Sequence, residues 1–166
     1  MTFSYRHLLS FLLFFGSHLV IAQIDELKAQ IITGGSGFNL GKINAMTQDK
    51  YGFMWLSDQS HNGIVRYDGL QMVQYSYDHK SKNGLGGYYP EALFADKDGN
   101  IWIGFYGQGL DMFNPVTKTF THYDHADNDQ GSLSNDFVTA ILEDHLGNVW
   151  VGTYGCLLYT SDAADE

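Results

Sequence analysis

The sequence predicts an all-β fold, a β-propeller of four-stranded antiparallel blades, incomplete, with about two and a half blades present. Three observations predict it. Residue types recur in one register at spacings of 47 and then 48 residues. Each recurrence is a strand, a turn and a second strand. The composition is rich in aromatics (15%) and glycine (19 residues) but low in charge (17%) and proline (2 residues), which favours strands and tight turns over helices or disorder.

The register is marked by Trp55, Trp102 and Trp150, and Asp49, Asp96 and Asp144 keep it, as do Gly52, Gly99 and Gly147, and Ala45, Ala92 and Ala140. The first copy runs Ala45 to Asp49, turns at Lys50-Tyr51-Gly52 and returns through Phe53 to Ser57. The second runs Ala92 to Asp96, turns at Lys97-Asp98-Gly99 and returns through Asn100 to Gly104. The third runs Ala140 to Asp144, turns at His145-Leu146-Gly147 and returns through Asn148 to Gly152. Two apolar runs flanking a turn that ends in glycine are a hairpin, because glycine tolerates positive φ.

The first two copies continue into third strands, Gly63 to Asp68 and Gly109 to Asn114, and fourth strands, Met72 to Tyr77 and Thr119 to Tyr123. Asp68-Gly69 and Asn114-Pro115 supply the turns between them. No pair of apolar runs at helical spacing competes with this reading. Met54-Trp55-Leu56 and Ile101-Trp102-Ile103 are apolar on both faces, as strands sandwiched between neighbouring blades must be, whereas Thr119 to Tyr123 alternates and implies one wetter face. The expected organisation is blade 1 at 41–86, blade 2 at 87–134 and the start of blade 3 at 135–155, with a lead-in at 23–40 whose Gln30-Ile31-Ile32-Thr33 could complete the last blade of a ring. A ring needs about four to eight blades, so the fragment alone is expected to expose the apolar flank of its third blade.

Both ends read as something other than propeller. Met1 to Ala22 has the form of a signal peptide: Arg6, a mostly apolar run from Leu8 to Ala22, and Val20 and Ala22 at the −3 and −1 positions of a cut before Gln23. The run is short for a membrane span and is interrupted by Ser17 and His18. This places the mature protein in the periplasm or on the extracellular face. Cys156 to Glu166 resembles a translated sequencing adapter, and 156–166 is expected to be such an artefact. Residues 23–155 then hold 16 acidic and 8 basic residues and no cysteine. A disulfide, a cysteine metal site and a cysteine nucleophile are excluded there, and the acidic balance argues against nucleic acid as a partner.

In an up-and-down blade the loops between strands two and three share one face of the disc with the loops that join blades. Those loops are the longer and chemically richer set here. Leu85 and Leu133, 48 apart in the joining loops, read as structural plugs. The candidate ligand-binding residues are His61, Tyr88, Tyr89, Phe105, Tyr106, Gln108, Asn135 and Asp136. Rings that stack, beside amides and hydroxyls that hydrogen-bond, suit a neutral polar ligand such as a sugar. The competing reading is that these residues only furnish loops. Asp96-Lys97-Asp98-Gly99-Asn100 looks like half a calcium loop, but it lacks the twelfth-position ligand and reads as turn chemistry. His122 and His125 alone do not make a metal site. No catalytic residue, metal or cofactor is expected, because no nucleophile elbow, phosphate loop or paired-carboxylate motif is present.

At Asp144 to Thr153, at Asp96 to Phe105 and more loosely at Asp49 to Ser57, with Ser132 to Asp136 before and Gly109-Leu110-Asp111 after, the repeat resembles the two-component regulator propeller family. The resemblance covers about Gln30 to Gly155. It departs most in the first copy, where Ser57 replaces the glycine and the following loop is one residue longer. The resemblance implies a periplasmic sensor region ahead of a further β-domain, a membrane span and a cytoplasmic histidine kinase, in Bacteroidetes-type bacteria, and in some members a diguanylate cyclase instead. It also implies recognition of oligosaccharides and a homodimer in the full-length parent. The alternatives are a secreted propeller enzyme of the virginiamycin-lyase kind, which shares strands like Gly63 to Asp68, and a scaffold without a small ligand.

Overall fold

A computed structural model describes residues 40–78 and 84–160. The signal-peptide reading, the lead-in strand at Gln30 to Thr33 and the tail beyond 160 lie outside the described residues.

Blade 1 is a four-stranded sheet of β1 (Met46–Gln48), β2 (Met54–Asp58), β3 (Gly63–Tyr67) and β4 (Met72–Ser76), in that order. Blade 2 repeats it with β5 (Pro90–Ala95), β6 (Ile101–Phe105), β7 (Leu110–Asn114) and β8 (Thr119–Tyr123). A third sheet holds β9 (Val138–Glu143), β10 (Val149–Thr153) and β11 (Cys156–Thr160). Neighbouring strands are antiparallel throughout. The all-β reading and the blade order therefore hold. The segment from Cys156 pairs its backbone along β10, in the place that β3 and β7 occupy in the other blades.

The repeat motif is explained by one carboxylate. In each copy the aspartate accepts the indole N–H six residues on: Asp49 from Trp55 at 2.8 Å, Asp96 from Trp102 at 2.9 Å, Asp144 from Trp150 at 3.0 Å. The other oxygen accepts backbone N–H groups of the turn, from Tyr51 and Phe53 in the first copy, Asn100 in the second, and Leu146 and Asn148 in the third. Gly52, Gly99 and Gly147 close the turns at φ of 89°, 93° and 96°, where an L side chain is strained. Asn100 and Asn148 add a side-chain bond to the same carboxylate. Asp96 thus spends its acceptors inside the turn, as the turn-chemistry reading requires.

Strand alternation sends each tryptophan towards the next blade. Trp55, Ile64 and Leu85 form one buried cluster with Ile101, Ile103, Phe105 and Phe113 of blade 2. Trp102 and Leu110 form the second with Leu133 and with Val138, Val149 and Val151 of the third sheet. Every residue of β6 is buried, which bears out its place between two blades, while β8 is mostly exposed. Trp150 faces away from blade 2 and is only half-buried, and Leu142, its partner across the ladder, is 61% exposed. Leu85 and Leu133 are both buried and bridge in parallel to Tyr77 and His125, so both act as plugs. Glycine at 104 sets the blade spacing: a Cβ there would lie 2.5 Å from Val138 Cγ1. Ser57 takes that place in blade 1, and its hydroxyl accepts the N–H groups of both Asn44 and Ala45 at 2.9 Å.

Candidate functional site

The face that carries the strand two–three loops and the blade-joining loops is built by one recurring bond. The residue that follows the second strand donates its N–H to the carbonyl of a residue upstream of the first strand, at equivalent positions of the repeat. The bonds are Gln59 to Lys42 (3.2 Å), Tyr106 to Tyr89 (3.1 Å) and Tyr154 to Phe137 (2.9 Å). Each blade therefore presents two side chains side by side at this rim. Blade 1 presents Lys42 and Gln59, whereas blade 2 presents Tyr89 and Tyr106 and the third sheet Phe137 and Tyr154.

Across the junction between blade 2 and the third sheet, Tyr106 meets Phe137 edge to face with centroids 4.8 Å apart. A cavity of about 580 Å³ opens there. Tyr106, Phe137 and Tyr154 supply its aromatic lining, Glu91, Asn135 and Thr139 its polar groups, and Val138 one wall. The rings present real surface, with Tyr106 at 61% and Tyr154 at 77% exposure. Asn135 fixes its amide oxygen on the Phe137 N–H at 2.8 Å. Glu91 accepts the amides of Asn44 and Gln59, each at 2.8 Å.

Two of the eight sequence-derived candidates, Tyr106 and Asn135, line this cavity. Tyr88 and Tyr89 form a separate aromatic cluster with Tyr77, the first pair 5.0 Å apart, with Tyr89 at a left-handed φ of 58°. Phe105 is fully buried in the blade 1–blade 2 core and offers no surface. Asp136 serves the backbone: its carboxylate accepts the His125 N–H at 2.6 Å and its carbonyl those of Gly107 and Gly109. Gln108 buries its amide oxygen with no partner among the described residues. His61, on a single 3₁₀ turn (Gln59–His61), sits 2.6 Å from the fully buried Asp58 carboxylate. Reading from sequence missed Glu91, Phe137, Thr139 and Tyr154. The signal was the repeat itself, since Tyr154 stands 48 residues after Tyr106 and Phe137 stands 48 after Tyr89.

The two histidines weighed as metal ligands part company. His122 pairs with Asp111 at 2.7 Å, and His125 with the Leu133 carbonyl and Asp127. Burial pushes the Asp111 carboxyl above the usual range, against the lowering by His122 and the Gly86 N–H. Among the described residues no group of three or more His, Cys, Asp or Glu could hold a metal ion. No helix of the described residues is long and apolar enough to cross a membrane.

Residues 84–107 and 132–155 match the family described as two component regulator propeller. A comparison with curated proteins finds no match. Among solved structures, the extracellular domain of a putative hybrid two component system from B. thetaiotaomicron is 27% identical with a TM-score of 0.69, over 75% of this chain and 18% of that one. The extracellular domain of a second such system from that organism is 24% identical with a TM-score of 0.57, over 75% and 17%. Virginiamycin B lyase from Staphylococcus aureus is 14% identical with a TM-score of 0.52, over 72% and 38%, a likeness of fold alone. The chain spans less than a fifth of the length of the first two structures.

Proposed function

This chain carries two-component regulator propeller repeats, and from that premise we propose that it is the ligand-sensing part of the periplasmic or extracellular region of a two-component sensor. The ligand is an oligosaccharide. One observation supports this most: the cavity at the junction of blade 2 and the third sheet is lined by three aromatic rings beside an amide, a hydroxyl and a carboxylate. Ring faces stack on the apolar faces of sugars while the polar groups meet hydroxyls.

Signalling follows by differential binding. A ligand held between two blades favours one arrangement of propellers in a homodimer, and that bias passes to a histidine kinase outside this chain. Titration calorimetry of the intact gene product against a panel of oligosaccharides tests the reading. Binding that weakens at least tenfold in Tyr106→Ala and in Tyr154→Ala is expected, and no binding across the panel would count against it. Mass spectrometry of the secreted protein should find Gln23 at its amino terminus; an intact Met1 to Ala22 segment would remove the secretion route.

A further inference from the structure

The two blade junctions differ at three equivalent positions. Between blades 1 and 2, Asn44 and Gln59 both donate to Glu91 at 2.8 Å and lace the rim together. One repeat further on, the same positions hold Glu91, Tyr106 and Thr139. Thr139 turns its hydroxyl to the Gly152 carbonyl within its own sheet, at 3.1 Å. At these three positions no side-chain bond among the described residues crosses the second junction, whose rim is held instead by the Gly107 and Gly109 N–H groups on the Asp136 carbonyl, and the cavity opens there.

Glu91 sits at the edge of that opening in an unusual electrostatic position. Its two bonds come from neutral amides, and among the described residues no cation forms an ion pair with it. Neutral donors satisfy lone pairs but leave the negative charge, and an ionised carboxylate has room for about two further donors. Tyr106, Phe137 and Tyr154 line the same space, and their ring faces are negative as well. A carboxylate flanked by aromatic faces suits an organic cation. The excess of 16 acidic over 8 basic residues in 23–155 adds a favourable field.

We propose that this cavity is an ammonium-binding site, so the ligand is an oligosaccharide that carries a free amino group. The saccharide half rests on the function proposed above; the ammonium half rests on Glu91 and the three rings. Calorimetry on the intact gene product at pH 6, where an amine of pKa about 8 is charged, compares three probes: a glucosamine tetramer, the fully N-acetylated tetramer and propylammonium. The glucosamine tetramer should bind at least tenfold more tightly than its acetylated form. Glu91→Gln should remove most of that difference, because Asn44 can turn its amide over and keep the lacing while the charge is gone. Tyr154→Ala, at a 77% exposed position that leaves the core intact, should weaken the aminated probe as well. Equal affinity for the two tetramers, or indifference to Glu91→Gln, overturns the ammonium site and leaves the saccharide reading standing. Propylammonium binding that depends on Glu91, without binding of either tetramer, supports the ammonium site and overturns the saccharide reading. No binding by any probe overturns both.

Discussion

Removing the Asp49 carboxylate should unlock the first hairpin. Trp55 is completely buried, and its indole N–H has Asp49 as its acceptor at 2.8 Å. Among the described residues that indole N–H has no other acceptor, and it lies in the core. In Asp49→Ala the stranded donor costs about 1–3 kcal/mol, and the lost charge-assisted bonds to the Tyr51 and Phe53 amides add about 1 kcal/mol, since those amides can turn to solvent. The sum is about 3 kcal/mol, a protection factor about a hundredfold lower in hydrogen exchange of the segment 45–58. Exchange localises the effect to one blade of a larger product. Trp55→Phe removes the donor itself, so Asp49→Ala should cost less in that background, with a coupling of about 2 kcal/mol. Asp68 makes a useful control, because its carboxylate caps a turn through Leu70 and Gln71 in full solvent, and Asp68→Ala should leave the blade's exchange nearly unchanged. A threefold or smaller change in Asp49→Ala would refute the view that one carboxylate holds both the turn and the tryptophan.

Three more outcomes follow from the packing and the charges. Gly104→Ala should cost about 1–3 kcal/mol by urea unfolding, because the new Cβ meets Val138 Cγ1 at 2.5 Å, and Gly104→Ala with Val138→Ala should cost less than the two singly. Leu133→Ala should cost about 2–4 kcal/mol, since the side chain is 4% exposed, whereas Val116→Ala at 79% exposure should not move the midpoint. The Trp150 indole N–H, and then Asn148, hold the Asp144 carboxyl well below the usual carboxylate range. A pKa depressed by folding contributes stability that is complete above the unfolded value of about 4 and is lost as pH falls through the lower folded value. Asp144→Asn should therefore be less stable than the parent at neutral pH, and the two should converge under acid, as thermal melts between neutral pH and pH 2 would record.

The amino-acid sequence by itself determined the repeat, its register and the hairpins. Those depend on local chemistry: an aspartate, a glycine three residues on and a tryptophan six residues on close one turn with their own side chains. The plugs were legible for a similar reason, since Leu85 and Leu133 recur at a fixed offset and the joining loops have few other apolar anchors. The binding rim was legible only in part. Tyr106 and Phe105 are adjacent and both aromatic, yet strand alternation turns Phe105 into the blade 1–blade 2 core and leaves Tyr106 61% exposed. Asp136 reads as polar and available, but it is spent on backbone N–H groups, its carboxylate on His125 of its own loop and its carbonyl on Gly107 and Gly109 of blade 2. The cavity itself belongs to tertiary structure. At its junction Thr139 bonds within its own sheet, while the counterpart Glu91 bonds across the first junction. That choice depends on how two blades face each other, which residues of different repeats decide together, as Gly104 does with Val138, and no single repeat contains it.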